Sequence, residues 1–394
     1  MQICTTFAAM ITREITPHLL KLKKFYSILS LNGPRQSGKT TLLKNLFPKY
    51  SYLSFEDPDI RRAAISDPRS FLSSYSKGAI LDEVQRVPEI FNYLQTIVDT
   101  DKKAKFVLSG SQNFLLNEKI TQSLAGRVGK ATLLPLSFSE LNKSKLLKSD
   151  FCKQAYSGFY PALYDKKTPS SVFYSNYTET YIERDVRTLR NVGNIQQFVK
   201  FMHYLAGLCG SILNLSDVAN AIGISVNTAK AWISVLSASY IAFLLPPHFV
   251  TFNKRLVKSP KIYFYDTGFL CYLLGLTDSK QLENNYLKGQ IFENFTIAEL
   301  MKQNYNRLQT PNLYFWRDHK GVEIDCMFEK ANKLLPIEIK SSATFHNDFL
   351  KHLRYWNDLE GNKNKKGFLI YNGKQNFKIH NIEIINWQNI SDKI

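Results

Sequence analysis

The chain has 394 residues, with 51 lysine and arginine residues against 33 aspartate and glutamate residues, which gives a formal net charge of +18. A hydrophobic fraction of 44% and an aromatic fraction of 13% exclude a disordered chain and are typical of a folded protein long enough for two or three domains. The basic excess attracts polyanions, most often nucleic acid, although a solvated lysine-rich surface has the same composition.

Cysteines and apolar runs show no pattern of export or membrane insertion. The five cysteines have no C-x-x-C spacing, which favours reduced thiols over a disulfide framework or a zinc site. Residues 1–15 lack the pattern of a secretory signal. The apolar stretch 240–245 ends at Pro246 and Pro247, far short of a membrane span. We therefore expect a cytoplasmic protein with no membrane association.

Residues 33–40 follow the pattern of a phosphate-binding loop, between a predicted strand over 25–31 and a predicted helix over 41–47. Glycines let the backbone N–H groups curl around an anion, and the helix points its positive end at it. Lys39 is expected to reach the β- and γ-phosphates of ATP, and the Thr40 hydroxyl to ligate Mg²⁺. The predicted nucleotide-binding residues are Gly33, Pro34, Arg35, Gln36, Ser37, Gly38, Lys39, Thr40 and Thr41.

An apolar run over residues 78–81 ends in two acids, Asp82 and Glu83. This predicts a buried strand that delivers two carboxylates at its tip. Asp82 would hold Mg²⁺ through water, and Glu83 would orient the water that attacks the γ-phosphate. The run is a weak signal alone, but after a phosphate-binding loop the two features support each other.

Two more strands are predicted over residues 52–55 and 104–108. Strands that alternate with helices predict a parallel sheet, with ligands at the carboxyl ends of its strands. Ser111 or Gln112, after the last of these strands, would sense the γ-phosphate, and an ordinary turn is the alternative.

Arg127 is a candidate arginine finger for a neighbouring subunit, with a surface salt bridge as the alternative. The segment from Ser137 to Glu140 predicts a capping box that opens a helix at the end of this domain.

Segments 33–40, 81–85, 109–111, 126–127, 181–186 and 258–268 together resemble the bacterial and archaeal AAA+ ATPases that carry an uncharacterised C-terminal domain. The resemblance covers nearly the whole chain. It implies an ATP-binding protein of the AAA+ class. It also implies a homo-oligomer, because AAA+ proteins form assemblies with shared active sites.

Residues 215–233 predict two short helices joined at a turn. Ser216 and Ser225 are expected to cap the helices, and Gly223 to supply the turn. The apolar positions expected to pack are Val218, Ala219, Ile222, Val226, Ala229 and Ile233.

A DNA-binding interpretation places Asn227, Thr228 and Lys230 of the second helix in a major groove. Strands over 241–245 and 261–265 would form a wing, and the basic residues between them are Lys254, Arg255 and Lys258. The alternative is a module that packs against its own chain. Both stay open, because recognition helices normally carry more Arg, Lys or Gln.

Four residues of the last third, Glu293, Asp325, Glu338 and Lys340, form a second chemical constellation. A hairpin that turns at residues 331–332 would place Asp325 directly opposite Glu338. Such a like-charged pair is unfavourable unless a cation joins it, and carboxylate oxygens suit Mg²⁺. Lys340 shares their face because the strand period is two. Glu293, on a predicted helix, would add a carboxylate.

This constellation resembles the PD-(D/E)xK nuclease superfamily, which implies catalytic roles for Glu293, Asp325, Glu338 and Lys340 and metal ligation by Asp325 and Glu338. The alternatives are an exposed hairpin with scattered charges and a folded but catalytically idle nuclease domain. Pro336 requires its strand to be an edge strand or to bulge there.

We therefore expect an α/β multidomain protein. It comprises a P-loop AAA+ ATPase domain (1–142), a helical linker (143–194), a winged helix-turn-helix (195–275) and a restriction-nuclease-like α/β domain (276–394). The leading hypothesis is an ATPase that acts on DNA, which the last domain binds or cuts with Mg²⁺. The alternative is a nucleotide-gated switch or scaffold for a protein partner, with an idle nuclease-like domain.

Overall fold

The computed structural model describes residues 11–111, 124–181, 194–248, 259–318, 320–330, 333–359 and 365–394. Its helices are α1 (Thr16–Phe25), α2 (Lys39–Leu46), α3 (Pro58–Ser66), α4 (Pro68–Ser74), α5 (Ile90–Thr100), α6 (Phe138–Lys143), α7 (Phe151–Ser157), α8 (Pro161–Asp165), α9 (Ser170–Tyr181), α10 (Ile195–Gly207), α11 (Leu215–Ile222), α12 (Val226–Ala238), α13 (Thr267–Leu273), α14 (Ser279–Glu283), α15 (Lys288–Asn306), α16 (Lys351–Asp358) and α17 (Ile390–Lys393). Its strands are β1 (Ile28–Asn32), β2 (Ser51–Ser54), β3 (Ala79–Asp82), β4 (Phe106–Gly110), β5 (Val128–Thr132), β6 (Ala242–Leu245), β7 (Lys261–Phe264), β8 (Leu313–Arg317), β9 (Glu323–Lys330), β10 (Lys333–Lys340), β11 (Gly367–Tyr371), β12 (Phe377–Ile379) and β13 (Ile382–Asn386).

The first sheet has the order β2-β3-β4-β1-β5, and all its strand pairs are parallel. Its central strands β1, β3 and β4 are buried along their whole length. Continuous apolar runs are what a parallel sheet covered on both faces requires. The prediction of a parallel sheet is confirmed, although β1 begins three residues after the predicted strand because α1 continues to Phe25.

Neighbouring residues of these strands enter different cores. Ile28 and Leu81 pack in one cluster, whereas Leu29 and Ile80 pack in another. The strand period of two sends successive side chains to opposite faces. Packing on both faces of the sheet therefore fixes the positions of the strand ends. The polar residues of the predicted phosphate site lie at these ends or in the loops that follow them.

The predicted helix-turn-helix is confirmed as α11 and α12, with Gly223 left-handed at φ 74°. Two details of the prediction are wrong. The cap of α11 is Asn214, whose side chain accepts from the Ser216 N–H, so Ser216 lies inside the first turn. Val226 is 45% exposed, because α12 turns Ala229 and the following apolar positions inward instead. Ser225 caps α12 as predicted.

The two strands predicted over 241–245 and 261–265 are β6 and β7, and they pair antiparallel with Ala242 opposite Phe264. The basic residues predicted between them, Lys254, Arg255 and Lys258, lie outside the described residues. Lys261 at the start of β7 is buried. The classification of this unit as a winged helix stays a prediction.

The second sheet has the order β12-β13-β11-β10-β9-β8. Its β9–β10 hairpin pairs Lys330 with Lys333, as predicted, and the turn at residues 331–332 lies outside the described residues. Pro336 does not lie on an edge strand, as the sequence required, because β10 is an interior strand of the sheet. The pairing of β10 with β11 begins only at Ile337, so no neighbour needs an N–H from the proline.

One hydrophobic core extends from residue 134 to residue 390. Helix α15 lies at its centre, where Phe295 packs 4.6 Å from Phe138 and 5.0 Å from Trp387 between ring centroids. The core therefore does not divide at the predicted boundaries 194/195 and 275/276, and those boundaries stay predictions. Within the described residues, no helix combines the length and apolar character that a membrane span needs.

Candidate functional site

The phosphate-binding loop connects β1 to α2 at the carboxyl end of the first sheet. Gly38 caps α2 in the left-handed region at φ 91°, and Gln36 also has a positive φ of 59°. A Cβ on Gly33 would lie 2.1 Å from the Leu133 carbonyl oxygen. Gly33 is therefore required by the contact with the segment after β5, whereas Gly38 is required by the turn into the helix.

The charged groups of this loop are held by its own backbone and by one neighbour. The Lys39 ammonium donates to the Gly33 carbonyl at 2.9 Å and to the Pro34 carbonyl at 2.8 Å. Arg35 is half-buried and lies 3.8 Å from Glu56. The exposed members of the predicted set are Gln36 and Thr41, and the buried ones include Ser37.

Asp82 collects three hydroxyl groups at the tip of β3. Its Oδ2 accepts from the Thr40 hydroxyl at 2.9 Å and from the Tyr52 hydroxyl at 2.7 Å, and its Oδ1 accepts from the Ser109 hydroxyl at 2.5 Å. Burial, and after it the Asp82 carboxylate, raises the pKa of Tyr52, so this phenol remains a donor. The structure thus joins Thr40 to Asp82, as the predicted Mg²⁺ roles require. Sequence reasoning missed Tyr52 and Ser109.

Glu83, the residue after Asp82, has an unusual backbone conformation. Its φ of 52° is left-handed, a conformation that costs a non-glycine residue about 1–3 kcal/mol. The Glu83 carboxylate accepts hydrogen bonds from the Gln85 side-chain amide and, at 3.2 Å, from the Ser111 hydroxyl. Ser111, one of the two predicted sensors, therefore contacts the predicted catalytic carboxylate. The other, Gln112, lies outside the described residues.

Arg127 lies away from this site, at the amino end of the sheet. Its carbonyl accepts from the Ile28 N–H, at the start of β1, whereas the phosphate-binding loop follows the end of β1. Its guanidinium forms a two-pronged ion pair with Asp99, with N–O distances of 2.7 and 2.8 Å. The alternative of a surface salt bridge matches this geometry. A role as an arginine finger for a neighbouring subunit, and the homo-oligomer itself, stay predictions.

A buried arginine that the sequence did not single out ties the loop to the rest of the chain. Arg13 donates to the Ser37 carbonyl at 2.7 Å, to the Leu134 carbonyl at 2.6 Å and to the Glu140 carboxylate at 3.0 Å. Glu140 also completes the predicted capping box with Ser137. A capping residue therefore serves as the ion-pair partner of the arginine that supports the phosphate-binding loop.

The second candidate site is a cleft of about 380 Å³ between β7, α15 and the β9–β10 hairpin. Three of the four predicted nuclease-like residues line it, and Glu338 lies buried beside it. Its lining residues are Gly210, Ser211, Lys261, Gly289, Gln290, Glu293, Glu323, Asp325, Ile339, Lys340 and Ser341.

Asp325, Glu338 and Lys340 form one cluster on the hairpin. The Lys340 ammonium lies 2.7 Å from the Glu338 carboxylate and 3.4 Å from the Asp325 carboxylate, which confirms that the three share a face. Burial lowers the pKa of Lys340, but the two carboxylates outweigh it and raise that pKa above its ordinary value. Burial, followed by the Asp325 charge, raises the pKa of Glu338, which also contacts His352 at 3.5 Å.

Glu293 on α15 completes the cleft with two partners from β7. The Lys261 ammonium lies 3.1 Å from its carboxylate, and the Tyr263 hydroxyl donates to the same oxygen. Lys261 also lies 2.5 Å from Glu323. Burial raises the pKa of Glu293, and the Lys261 charge opposes that shift. Sequence reasoning missed both Lys261 and Glu323 as cleft residues.

The carboxylates of the cleft are not arranged as a ready cage for a metal ion. Among the described residues, no three His, Cys, Asp or Glu side chains are placed to hold one metal ion directly. The ammonium groups of Lys261 and Lys340 lie between the carboxylates. Glu323 also lies 3.6 Å from the Arg317 guanidinium, so each of the four carboxylates has a basic side chain within 4 Å.

The predicted groove-reading residues lie at the start of α12. Asn227 and Lys230 are exposed, whereas the Thr228 hydroxyl lies 2.8 Å from the capping Ser225 hydroxyl. The exposed end of α12 leaves the DNA-binding interpretation a prediction.

Three segments of the chain match models of known protein families. Residues 26–142 match the AAA domain, residues 148–280 match a Domain of unknown function (DUF8612), and residues 288–390 match a Domain of unknown function (DUF4143). The first match covers the parallel sheet with both phosphate-site elements. This part of the chain is similar to an AAA domain.

Relatives of similar length occur in bacteria and archaea. An uncharacterized protein of Mycobacterium tuberculosis is 29% identical over 321 residues, which cover 80% of this chain and 71% of the relative. An uncharacterized protein of Methanocaldococcus jannaschii is 24% identical over 363 residues, which cover 83% of this chain and 77% of the relative. Among solved structures, the Walker-type ATPase of Pyrococcus abyssi has 13% identity and a TM-score of 0.46, with 67% of this chain and 96% of that chain covered.

Proposed function

We propose that this protein hydrolyses ATP at the phosphate-binding loop and uses the cycle to act on DNA at the second candidate site. We call that site the acidic cleft, because Glu293, Glu323 and Asp325 line it. The observation that carries the first half is the joint position of Thr40, Asp82 and Glu83. Thr40 lies in the first turn of α2, after the loop, whereas Asp82 and Glu83 lie at the end of β3. A hydrogen bond of 2.9 Å joins Thr40 to Asp82, and Ser111, after β4, donates to Glu83 at 3.2 Å.

The residues of the loop fit a magnesium nucleotide. Thr40 and Asp82 offer adjacent oxygen atoms, and the buried Ser37 hydroxyl has no hydrogen-bond partner among the described residues. Mg²⁺ held there would neutralise charge on the phosphate oxygens. Lys39 supplies a positive charge toward the β- and γ-phosphates. Glu83, fixed by Gln85 and Ser111, accepts a hydrogen bond from the attacking water and so orients it.

Glu83→Gln is expected to lower steady-state ATP turnover by about 100-fold or more while ATP binding persists. The amide keeps the shape of the side chain but is a poor acceptor for the proton of the attacking water. Phosphate release measures turnover, and calorimetry measures binding. Glu89→Gln is the matched control, because it makes the same charge change on an exposed carboxylate six residues away. Unchanged turnover in Glu83→Gln would remove Glu83 from the mechanism.

The DNA half of the proposal is supported by the chemistry of the cleft. Oxygen ligands for a divalent cation lie beside a lysine that shares their strand face. A phosphodiester is hydrolysed when a water oxygen bonds to phosphorus, the P–O bond to one sugar breaks, and that sugar oxygen takes up a proton. In this assignment Asp325 and Glu338 hold the cation. Lys340 stabilises the negative charge that develops on the phosphate.

An Asp325→Asn/Lys340→Met double variant is expected to lose DNA cleavage by about 100-fold or more in Mg²⁺, with ATP turnover unchanged. Single-stranded, double-stranded and branched DNA would be compared. The exposed pair Asp348→Asn/Lys351→Met makes the same charge changes outside the cleft and serves as the control. Cleavage that is equal in wild type and the cleft variant would reject the nuclease assignment.

One observation favours a second candidate, a nucleotide-gated switch or scaffold for a protein partner. The cleft carboxylates already have lysine partners, as an idle domain would retain them for stability. The salt dependence of DNA binding separates the two proposals, because phosphate contacts make affinity fall steeply with added salt. Absence of DNA binding even in dilute buffer would favour the switch.

A further inference from the structure

One lysine of the acidic cleft comes from outside the segment that carries its carboxylates. Lys261 begins β7, within the matched segment 148–280, whereas the carboxylates lie in the matched segment 288–390. Its side chain is 4% exposed and points into the cleft rather than to solvent. The cleft is thus assembled from two parts of the chain.

The backbone around Lys261 fixes where its ammonium lies. The Ile262 carbonyl accepts from the Gly210 N–H at 2.9 Å, and Lys261 forms an isolated antiparallel bridge with Ile212. Tyr263, two residues further, shares its strand face and donates to Glu293. Two side chains of β7 therefore contact the same carboxylate. The position of the Glu293 side chain is thus set by β7 as well as by its own helix.

The charges around this ammonium explain why a buried lysine is tolerated. Lys261 lies 3.1 Å from Glu293 and 2.5 Å from Glu323. Asp325 lines the same cleft. A buried ammonium is costly unless it is paired, and carboxylates this close repel one another unless a positive charge joins them. Each charge thus offsets the burial cost of the others.

We propose that Lys261 is a built-in cation of the cleft, which takes the place of a second metal ion between Glu293 and Glu323. The cleft would then accept a single divalent cation, at Asp325 and Glu338, together with a phosphodiester. Lys261 is a positioning residue in this scheme, since it acts through the carboxylates that it holds. The inference rests on the proposed function of the cleft and adds to it the number of metal ions and the source of the second positive charge.

Removing the ammonium is expected to move cation and DNA affinity in opposite directions. Lys261→Met roughly keeps the length of the side chain but removes the buried positive charge between two carboxylates, which leaves Glu293 with the neutral Tyr263 hydroxyl and Glu323 with the partly exposed Arg317. We expect Mn²⁺, titrated in a calorimeter without nucleotide, to bind at least about tenfold more tightly or with one additional ion, because the unneutralised carboxylates attract it. Affinity for DNA at low salt should fall, because a positive charge is lost.

Control variants assign these effects to the cleft. Lys261→Arg keeps the charge and should bind Mn²⁺ as the wild type does. Lys280→Met removes an exposed lysine elsewhere and should change neither affinity. Should Lys261→Met fail to fold, Lys261→Met/Glu323→Gln restores the charge balance. That variant is expected to fold and to bind Mn²⁺ within about threefold of the wild type, because one charge of each sign is removed.

The inference is overturned by a folded Lys261→Met protein whose Mn²⁺ affinity and stoichiometry equal those of the wild type. It is also overturned if the charge-balanced double variant binds Mn²⁺ as Lys261→Met does. Failure of the nuclease proposal has a different signature. Wild-type protein would then cut no DNA, while the increase in Mn²⁺ binding in Lys261→Met would still be observed.

Discussion

Lys39→Ala is expected to reduce ATP turnover by at least about 100-fold, the scale of losing one fixed group that stabilises charge in a transition state. The Lys39 ammonium is kept inside the loop by the Gly33 and Pro34 carbonyls, at 2.9 and 2.8 Å. It therefore lies inside the loop that we propose binds the phosphates. Alanine leaves the backbone amides in place but removes this charge.

The same variant is expected to lose most of the stabilisation that ATP gives to the folded protein. A ligand present at 100 times its Kd stabilises the folded state by about 2.7 kcal/mol. At the ATP concentration that gives this value for the wild type, thermal unfolding of Lys39→Ala should move little. Glu83→Gln should still respond fully, because it keeps the phosphate-binding groups.

Lys49→Ala, an exposed lysine shortly after α2, is the matched control and should behave as the wild type. Equal turnover in Lys39→Ala and wild type would refute ATP hydrolysis at this loop. A full thermal response to ATP in Lys39→Ala would instead show that the lysine does not bind the phosphates.

The sequence predicted those parts of the fold whose geometry is set by neighbouring residues. The phosphate-binding loop, the turn at Gly223 and the capping box at Ser137 depend on a few consecutive residues. The register of the β9–β10 hairpin also follows from its turn, because antiparallel pairing counts outward from it. That register was enough to place Asp325, Glu338 and Lys340 together.

The remaining contacts depend on how distant segments pack, which periodicity does not reveal. Ser109 reaches Asp82 because β3 and β4 are neighbours in a parallel sheet, a fact about strand order rather than about either strand. Lys261 reaches Glu293 because β7 packs near α15. By sequence alone, a lysine at the start of an apolar strand is expected to be exposed to solvent. Its burial is favourable only because carboxylates from other elements lie beside it.

Val226 shows a smaller limit of the same kind. An apolar residue at the first position of a helix fits a packing face by spacing alone. In the structure this end of α12 projects from the core, and Val226 is 45% exposed. Helix periodicity gives relative positions around the axis, but the core decides how far along the helix the packing extends.

Arg13→Met is expected to destabilise the protein by about 3–5 kcal/mol, the cost of leaving one partner of a buried ion pair without the other. Arg13 is 6% exposed and Glu140 is fully buried, with 3.0 Å between them. Methionine fills part of the space but leaves the Glu140 carboxylate, the Ser37 carbonyl and the Leu134 carbonyl without the guanidinium. Urea unfolding measures the change in free energy.

Lys143→Met is the matched control, because Lys143 also pairs with a carboxylate near α6, that of Glu14, but is 66% exposed. Its loss should cost at most about 1 kcal/mol. Adding Glu140→Gln to Arg13→Met should recover part of the stability, since the unpaired buried charge is then removed. A loss no larger than that of Lys143→Met would show that the pair at Arg13 is not what stabilises this junction.

Arg13→Met should also weaken ATP binding, although the residue lies outside the loop motif. Its guanidinium donates to the Ser37 carbonyl at 2.7 Å and thereby fixes one peptide of the loop whose N–H groups would bind phosphate. A purely structural role for Arg13 would lower stability and leave the ATP affinity of the remaining folded protein unchanged. If the Ser37 peptide becomes mobile in the variant, ATP binding must reorder it, and that costs binding free energy. Calorimetry with ATP, at a temperature where the variant is still folded, therefore separates the two outcomes.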